Sequence, residues 1–311
     1  MTDNIIKAKN IVKKFSNGNN ISTVLKHIDL DIKKGEFVSL MGESGSGKST
    51  LLYILGGLDT PTTGEVLFDN RDISVMTDEQ KSEIRRNEIG FVFQFYNLVT
   101  NLSVKENILL PLVMAKKDIQ KYEKKLDDVL ELIGMSDKKD SVPSELSGGQ
   151  CQRVSIARAI ITDPKLLLAD EATGNLDSKA RKEIMSLFKK INKEKKITIL
   201  QVTHSTECAN YGNRIIILKD GQLLSESNEP STKITSKSEE RNFSNKNLIE
   251  ELNILIESEY TYLNEMLKNQ NKKKELLLKL NNSISVLEEN RPDKDYEELY
   301  KIMRKLIRKS M

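Results

Sequence analysis

Three short stretches hold the residue types that could do chemistry together. Gly42-Glu43-Ser44-Gly45-Ser46-Gly47-Lys48-Ser49-Thr50 has the spacing G-x-x-x-x-G-K-S. It follows a strand-like run, Phe37 to Met41, and opens into Leu51 to Leu55, which reads as a helix. In that context the glycines let backbone N–H groups converge on a phosphate, and the helix adds its positive end. Lys48 would reach β- and γ-phosphates, and Ser49 would put its hydroxyl on Mg²⁺. The second stretch, Leu146-Ser147-Gly148-Gly149-Gln150, precedes a helical pattern and forms another nest for an anion. The third, Leu166 to Ala169, is an apolar strand that ends in Asp170 and Glu171. Asp170 suits Mg²⁺ through water, and Glu171 is placed to polarise an attacking water. Gln94 ends another strand, Asp177 opens a helix, and His204 lies just past a strand that ends at Val202.

The elements that must position these residues read as an α/β pattern. Short strands are expected at Ile5 to Val12, Thr23 to Leu25, Ile28 to Ile32 and Phe37 to Met41, with a turn at Asn17-Gly18-Asn19-Asn20. Further strands are expected at Glu65 to Phe68, Ile89 to Gln94, Leu166 to Ala169 and Ile197 to Val202, with a hairpin around Lys219-Asp220. Between Gln94 and Pro164 apolar residues recur at helical spacing, so a helical subdomain is expected over about 95–163. A helix from Ser178 to Lys193 follows. From Ser227 the chain becomes rich in Ser, Thr, Glu, Lys and Asn, which predicts a linker over 227–245. Residues 246–311 carry a narrow apolar stripe, including Leu248, Leu252 and Leu255, among alternating charges. A coiled coil or small helical bundle is expected there. Its basic end, Met303 to Lys309, reads either as a solvated helix end or as a contact for an anionic membrane surface.

Composition narrows the function classes. The 311 residues include 49 basic and 46 acidic side chains, a near balance that argues against a nucleic-acid partner. No run of 18 apolar residues occurs, and the N-terminus lacks the pattern of a signal peptide. Two cysteines, Cys151 and Cys208, make no disulfide framework. A soluble intracellular protein is expected.

Taken in order, residues 42–49, Gln94, 146–150, Asp170-Glu171, Asp177 and His204 resemble the nucleotide-binding subunit of ABC transporters, over roughly residues 4 to 225. The resemblance implies a P-loop NTPase cassette of α/β class: a mixed sheet core, N-terminal antiparallel strands and an all-helical subdomain. It implies ATP and Mg²⁺ as ligands. Residues 42–49 become Walker A, with Thr50 also at the nucleotide, Gln94 the Q-loop glutamine and a ligand of the metal, and 146–150 the signature, whose Ser147 to Gln150 meet the ATP of the partner. Asp170 becomes the Walker B aspartate, Glu171 the catalytic glutamate, Asp177 the D-loop aspartate and His204 the switch histidine. Lys48 and His204 then act with Glu171 in catalysis. Phe15 would stack on adenine where the family usually has tyrosine, the alternative being a core side chain. Ala172 stands where proline is common, and Cys151 where glutamine is common. Cys151 reads as redox-sensitive or, more simply, as a small helix residue.

The family also implies partners: a second copy, paired head to tail so that each ATP lies between Walker A of one chain and the signature of the other, and an integral membrane permease. The protein would then be cytoplasmic, peripheral on the inner face of the cell membrane. Gly90 to Val99, Val104 to Leu112 and Asp170 to Asp177 are similar to the ATPases of lipoprotein-release, macrolide-export and antimicrobial-peptide-resistance systems. The alternative output is a regulatory ATPase that controls cell-wall hydrolysis in division with a similar permease. A two-cassette translation factor does not fit, because there is one Lys48 motif and one signature. A chromosome-maintenance ATPase does not fit either, because only about a hundred residues separate the two motifs.

Overall fold

The computed structural model describes residues 3–17 and 20–227. The linker expected from residue 227, beyond its first position, and the helical extension over 246–311 lie outside the described residues.

Two sheets form the frame. β1 (Asn4–Asn17) and β2 (Asn20–Lys33) pair antiparallel, and β4 (Thr63–Phe68) and β5 (Arg71–Asp72) extend them in the order β2-β1-β4-β5. β1 and β2 are longer than the apolar alternation predicts. Asn10 (φ 51°) and His27 (φ 54°) take left-handed backbone, and the register shifts between Ala8 and Ile11 on β1. Such bulges break the period-two pattern while the strands continue. The second sheet is six-stranded, β10-β9-β3-β8-β7-β6. It comprises β3 (Phe37–Met41), β6 (Ile89–Val92), β7 (Leu166–Asp170), β8 (Thr198–Thr203), β9 (Arg214–Lys219) and β10 (Gln222–Ser227). All pairs in it are parallel except β9 with β10.

Both faces of this sheet are covered, which explains why β7 reads as an unbroken apolar run. Val38, Leu40, Leu166, Leu168, Leu200 and Val202 pack with helix α1 (Lys48–Leu55) and the antiparallel sheet. Phe37, Leu167, Ala169 and Ile199 pack on the other side with α3 (Val104–Met114), α4 (Glu123–Leu132), α5 (Gly148–Ile160) and α6 (Ser178–Lys195). The expected helical region is therefore present. Its last helix, α5, also shares the core of the sheet through Val154, Ile156, Ala157 and Ile160. A helix that the apolar pattern does not reveal is α2 (Asp78–Asn87), started by a Thr77–Gln80 capping box. Only Lys81 and Ile84 of α2 are buried. The short α7 (Thr206–Ala209) follows β8.

Away from the strand ends that carry the motifs, an ion cluster joins the two sheets. Asp69 accepts from Lys34 and Lys165 at 2.7 Å each, and Glu88 pairs with Lys165 and Arg71 at 2.7 Å each. The Lys165 and Lys34 hydrogen bonds pull the Asp69 carboxyl down to about 2. Its folded pKa is depressed, so its contribution to stability is present above the ordinary aspartate range and is lost as the pH falls through about 2. Asp69→Asn is expected to cost on the order of 1 kcal/mol near neutral pH, after discounting for solvent screening. Denaturant unfolding at a series of pH values should show the gap to wild type closing in acid. A gap unchanged down to pH 2 contradicts this account of the cluster.

Candidate active site

The parallel register brings the functional residues to one crevice. Met41 lies opposite Thr203, Asp170 opposite Val202, and Val92 opposite Ala169. The carboxyl ends of β3, β8, β7 and β6 therefore stand side by side, where open α/β sheets bind ligands.

The glycine-rich loop 42–50, the candidate phosphate loop, spans the tip of β3 and the start of α1. Gly47, at the helix N-cap, has φ 99° and Gly45 has φ 78°, backbone that only glycine takes without strain. Gly42 is needed for a close approach, since a Cβ there would sit 2.1 Å from the Leu218 carbonyl oxygen. Glu43 and Ser44 are exposed, whereas Ser46, Gly47 and Lys48 are buried and Ser49 and Thr50 half-buried. Lys48 Nζ donates to the Glu43 carbonyl at 2.7 Å, so its charge is folded back over the loop. The buried Ser46 hydroxyl has no hydrogen-bond partner among the described residues. A buried cation and an orphaned hydroxyl in a glycine-rich loop fit a phosphate chain.

Asp170, almost fully buried at the tip of β7, accepts from the Ser49 hydroxyl at 2.9 Å through Oδ1 and from the Tyr53 hydroxyl at 2.8 Å through Oδ2. Burial and the Asp170 carboxylate raise the Tyr53 phenol to about 12. The next residue, Glu171, takes a left-handed backbone, φ 45°. Its N–H donates to the Val202 carbonyl at 3.1 Å, and its own carbonyl accepts from Gly174 N–H at 2.9 Å. Non-glycine residues adopt this region at some cost, and the two bonds hold Glu171 there. Its carboxylate Oε1 then lies 3.5 Å from His204 Nδ1. Gln94 also reaches the loop after Glu171: its Nε2 donates to Asn175 Oδ1 at 3.3 Å.

Asp177 caps α6, its carboxylate accepting from the N–H groups of Lys179 and Ala180 at 2.9 Å each. Ser147 caps α5 in a box with Gln150. Its Oγ accepts from Gln150 N–H at 3.3 Å, while Gln150 Oε1 accepts from Ser147 N–H at 2.8 Å. The Gln150 side chain thus shapes the turn, and Ser147 and Gly148 are exposed. Within the described residues no hydrogen bond joins 146–150 to the loop 42–50. Phe15 is 47% exposed, with Lys13 Nζ 4.9 Å from its ring centroid, so it is not a core side chain. Cys151 is buried in α5, its thiol raised by burial and turned to the Pro143 carbonyl.

Two features escape the sequence reading. Tyr53 follows Ser49 by one helical turn, a spacing that places both on one face of α1 and so offered a signal. Gln201 and Ser39 face each other across β8 and β3, Gln201 Nε2 donating to Ser39 Oγ at 2.8 Å and to the Cys208 carbonyl at 2.9 Å. This buried pair locks the strand of the phosphate loop to the strand of His204.

Comparison with known proteins gives the family. The model of the ABC transporter family matches residues 25–174. An uncharacterized ABC transporter ATP-binding protein of Methanocaldococcus jannaschii is 47% identical over 223 residues, 70% of this chain and 95% of that protein. The bacitracin export ATP-binding protein BceA of Halalkalibacterium halodurans is 41% identical over 71% of this chain and 88% of its own length. The macrolide export ATP-binding/permease protein MacB of Campylobacter jejuni is 45% identical over 71% of this chain but only 34% of its own, so this chain spans about a third of MacB. A solved dimeric cassette in a post-hydrolysis state, bound to ADP and Pi, is 44% identical with a TM-score of 0.66 over 72% of this chain and 98% of that one. With the phosphate loop, Asp170-Glu171 and His204 gathered at one set of strand ends, this chain belongs to the ABC transporter family as an ATP-binding, ATP-hydrolysing cassette.

Proposed function

We propose that two copies of this cassette close head to tail on two ATP molecules, and that closure and release drive an integral membrane permease. The observation that carries the reading is the pairing at the strand ends, Ser49 with Asp170 at 2.9 Å and Glu171 with His204 at 3.5 Å. Lys48 and the N–H groups of 42–50 bind the β- and γ-phosphates, where charge builds in phosphoryl transfer. Glu171 orients and deprotonates the attacking water, and His204 contacts the γ-phosphate. Ser147, Gly148 and Gly149 bind the γ-phosphate of the ATP held by the second copy, with Gln150 holding their turn and Asp177 communicating across the pair. Phe15 offers its exposed ring face to adenine.

The donor set at the tip of β7 fits Mg²⁺. Hydroxyl and carboxylate oxygens are hard ligands, and no cluster of three or more acidic, His or Cys side chains forms a cage among the described residues. That favours a cation shared with substrate phosphates over one caged by protein. Ser49, Asp170 and the Gln94 Oε1 would hold it. When bound, the ion neutralises charge on the β- and γ-phosphates.

No helix of the described residues is long and apolar enough to cross a membrane. In this reading a separate permease places the cassette on the inner face. Phe95, Val113 and Met114 stand exposed after Gln94 and suit that contact. The names of the relatives favour export, and antimicrobial-peptide resistance and lipoprotein release belong to the same branch by the sequence motifs. Tagged Glu171→Gln protein held with ATP should capture, from solubilised membranes, a permease of four membrane helices with a large outer domain. Capture of division proteins instead would favour the regulatory alternative, and capture of no membrane protein would overturn the permease reading.

A further inference from the structure

The carboxylate of Asp170 is gripped on both oxygens from a single helix. Ser49 holds Oδ1 at 2.9 Å and Tyr53 holds Oδ2 at 2.8 Å, two hydroxyls one turn apart on α1. An aspartate carboxylate otherwise turns broadly about its last torsion, so two donors set which lone pairs face the crevice. Tyr53 also has a fixed seat of its own. Its ring meets Phe93 edge-on, centroids 6.5 Å apart at 62°, and Phe93 stacks on Phe91 at 5.8 Å and 7°. Phe93 directly precedes Gln94, and its carbonyl accepts from Gln152 of α5 at 3.3 Å. The hydroxyl that orients Asp170 is thus carried on a ring wedged against the segment that leads to Gln94 and is tied to the signature helix.

We propose that Tyr53 is a positioning residue for the metal site, setting the orientation of Asp170 and making it depend on the seat of Phe93 beside Gln94. The inference rests on the reading of Asp170 as a ligand environment for Mg²⁺. A Tyr53 that merely filled space would use its ring alone, and its hydroxyl would be dispensable. Outer-shell groups that orient a metal-binding carboxylate contribute strongly to affinity. Any displacement of Phe93 when Gln94 moves would pass to Asp170 through one rigid side chain.

The test uses Mn²⁺ as probe, titrated into the full-length chain with saturating ADP and read by electron paramagnetic resonance. Tyr53→Phe keeps the ring and is expected to weaken Mn²⁺ about 10-fold, with metal-free ADP affinity unchanged. Phe93→Leu keeps the hydroxyl but loosens its seat. It should weaken Mn²⁺ in the same direction by a smaller factor, and add little in the Tyr53→Phe background. Asp170→Asn is the control for the underlying reading. If it weakens Mn²⁺ while Tyr53→Phe binds the ion as tightly as wild type or tighter, Tyr53 has no positioning role. If Asp170→Asn itself leaves Mn²⁺ affinity unchanged, the metal assignment fails, and the inference with it.

Discussion

Glu171→Gln is expected to lower ATP turnover by about 10²–10⁴ while ATP binding stays at the wild-type level. The substitution is nearly isosteric, and the bonds that fix residue 171 are made by its backbone, to Val202 and Gly174. The strained left-handed turn should therefore survive. What disappears is the carboxylate 3.5 Å from His204, the group able to take a proton from water at the end of β7. Loss of a positioned general base accounts for a decrease of this size. Equilibrium binding of ATP and single-turnover phosphate release separate the two effects. Near-normal release would reject Glu171 as the base, and loss of binding would indicate that the loop had collapsed.

The second large effect is expected at the two ends of the proposed composite site, and it differs in kind between them. Lys48 is the one positively charged side chain in residues 42–50 and is buried within its own loop. Lys48→Ala removes the charge that meets the β- and γ-phosphates, so ATP affinity falls and turnover drops by about 10³. Alanine suits the first turn of α1, which preserves the fold. Ser147→Arg places a bulky cation at the exposed N-cap of α5. It costs the cap, about 1 kcal/mol, but touches nothing in the loop 42–50 of the same chain. ATP binding to the single chain should persist while turnover is lost, since the second copy can no longer close. Equal loss of ATP binding in both variants would mean that the signature serves its own chain.

Sequence legibility varied with the kind of physics involved. The phosphate loop and the Asp170-Glu171 tip were readable because they depend on local backbone geometry and on an apolar strand ending in charge. That His204 acts with Glu171 was implied by family resemblance alone, and their approach was not legible, because it depends on the pairing of Asp170 with Val202 across two strands. Helix α2 was hidden because it buries little, although its Thr77–Gln80 box was in plain sight. The continuity of β1 and β2 was obscured by bulges at Asn10 and His27, residues that turn left-handed and bond to each other at 2.6 Å. Gln150 illustrates a third case. Its place in the motif implied a signature role, and its side chain also closes a capping box with Ser147, which the motif did not announce. Tyr53 carried the right helical spacing from Ser49, but only the packing of α1 against β7 reveals that its hydroxyl meets Asp170.

The most direct test of the composite site mixes Lys48→Ala and Ser147→Arg proteins, each nearly inactive alone, and measures ATP hydrolysis. A mixed pair holds one site with both defects and one with an intact Lys48 facing an intact Ser147. Random pairing of two chains should restore up to about a quarter of the wild-type rate. Such rescue means that the site is built from two copies of this chain. A mixture no more active than its components would contradict that claim and leave each cassette to hydrolyse ATP on its own or not at all.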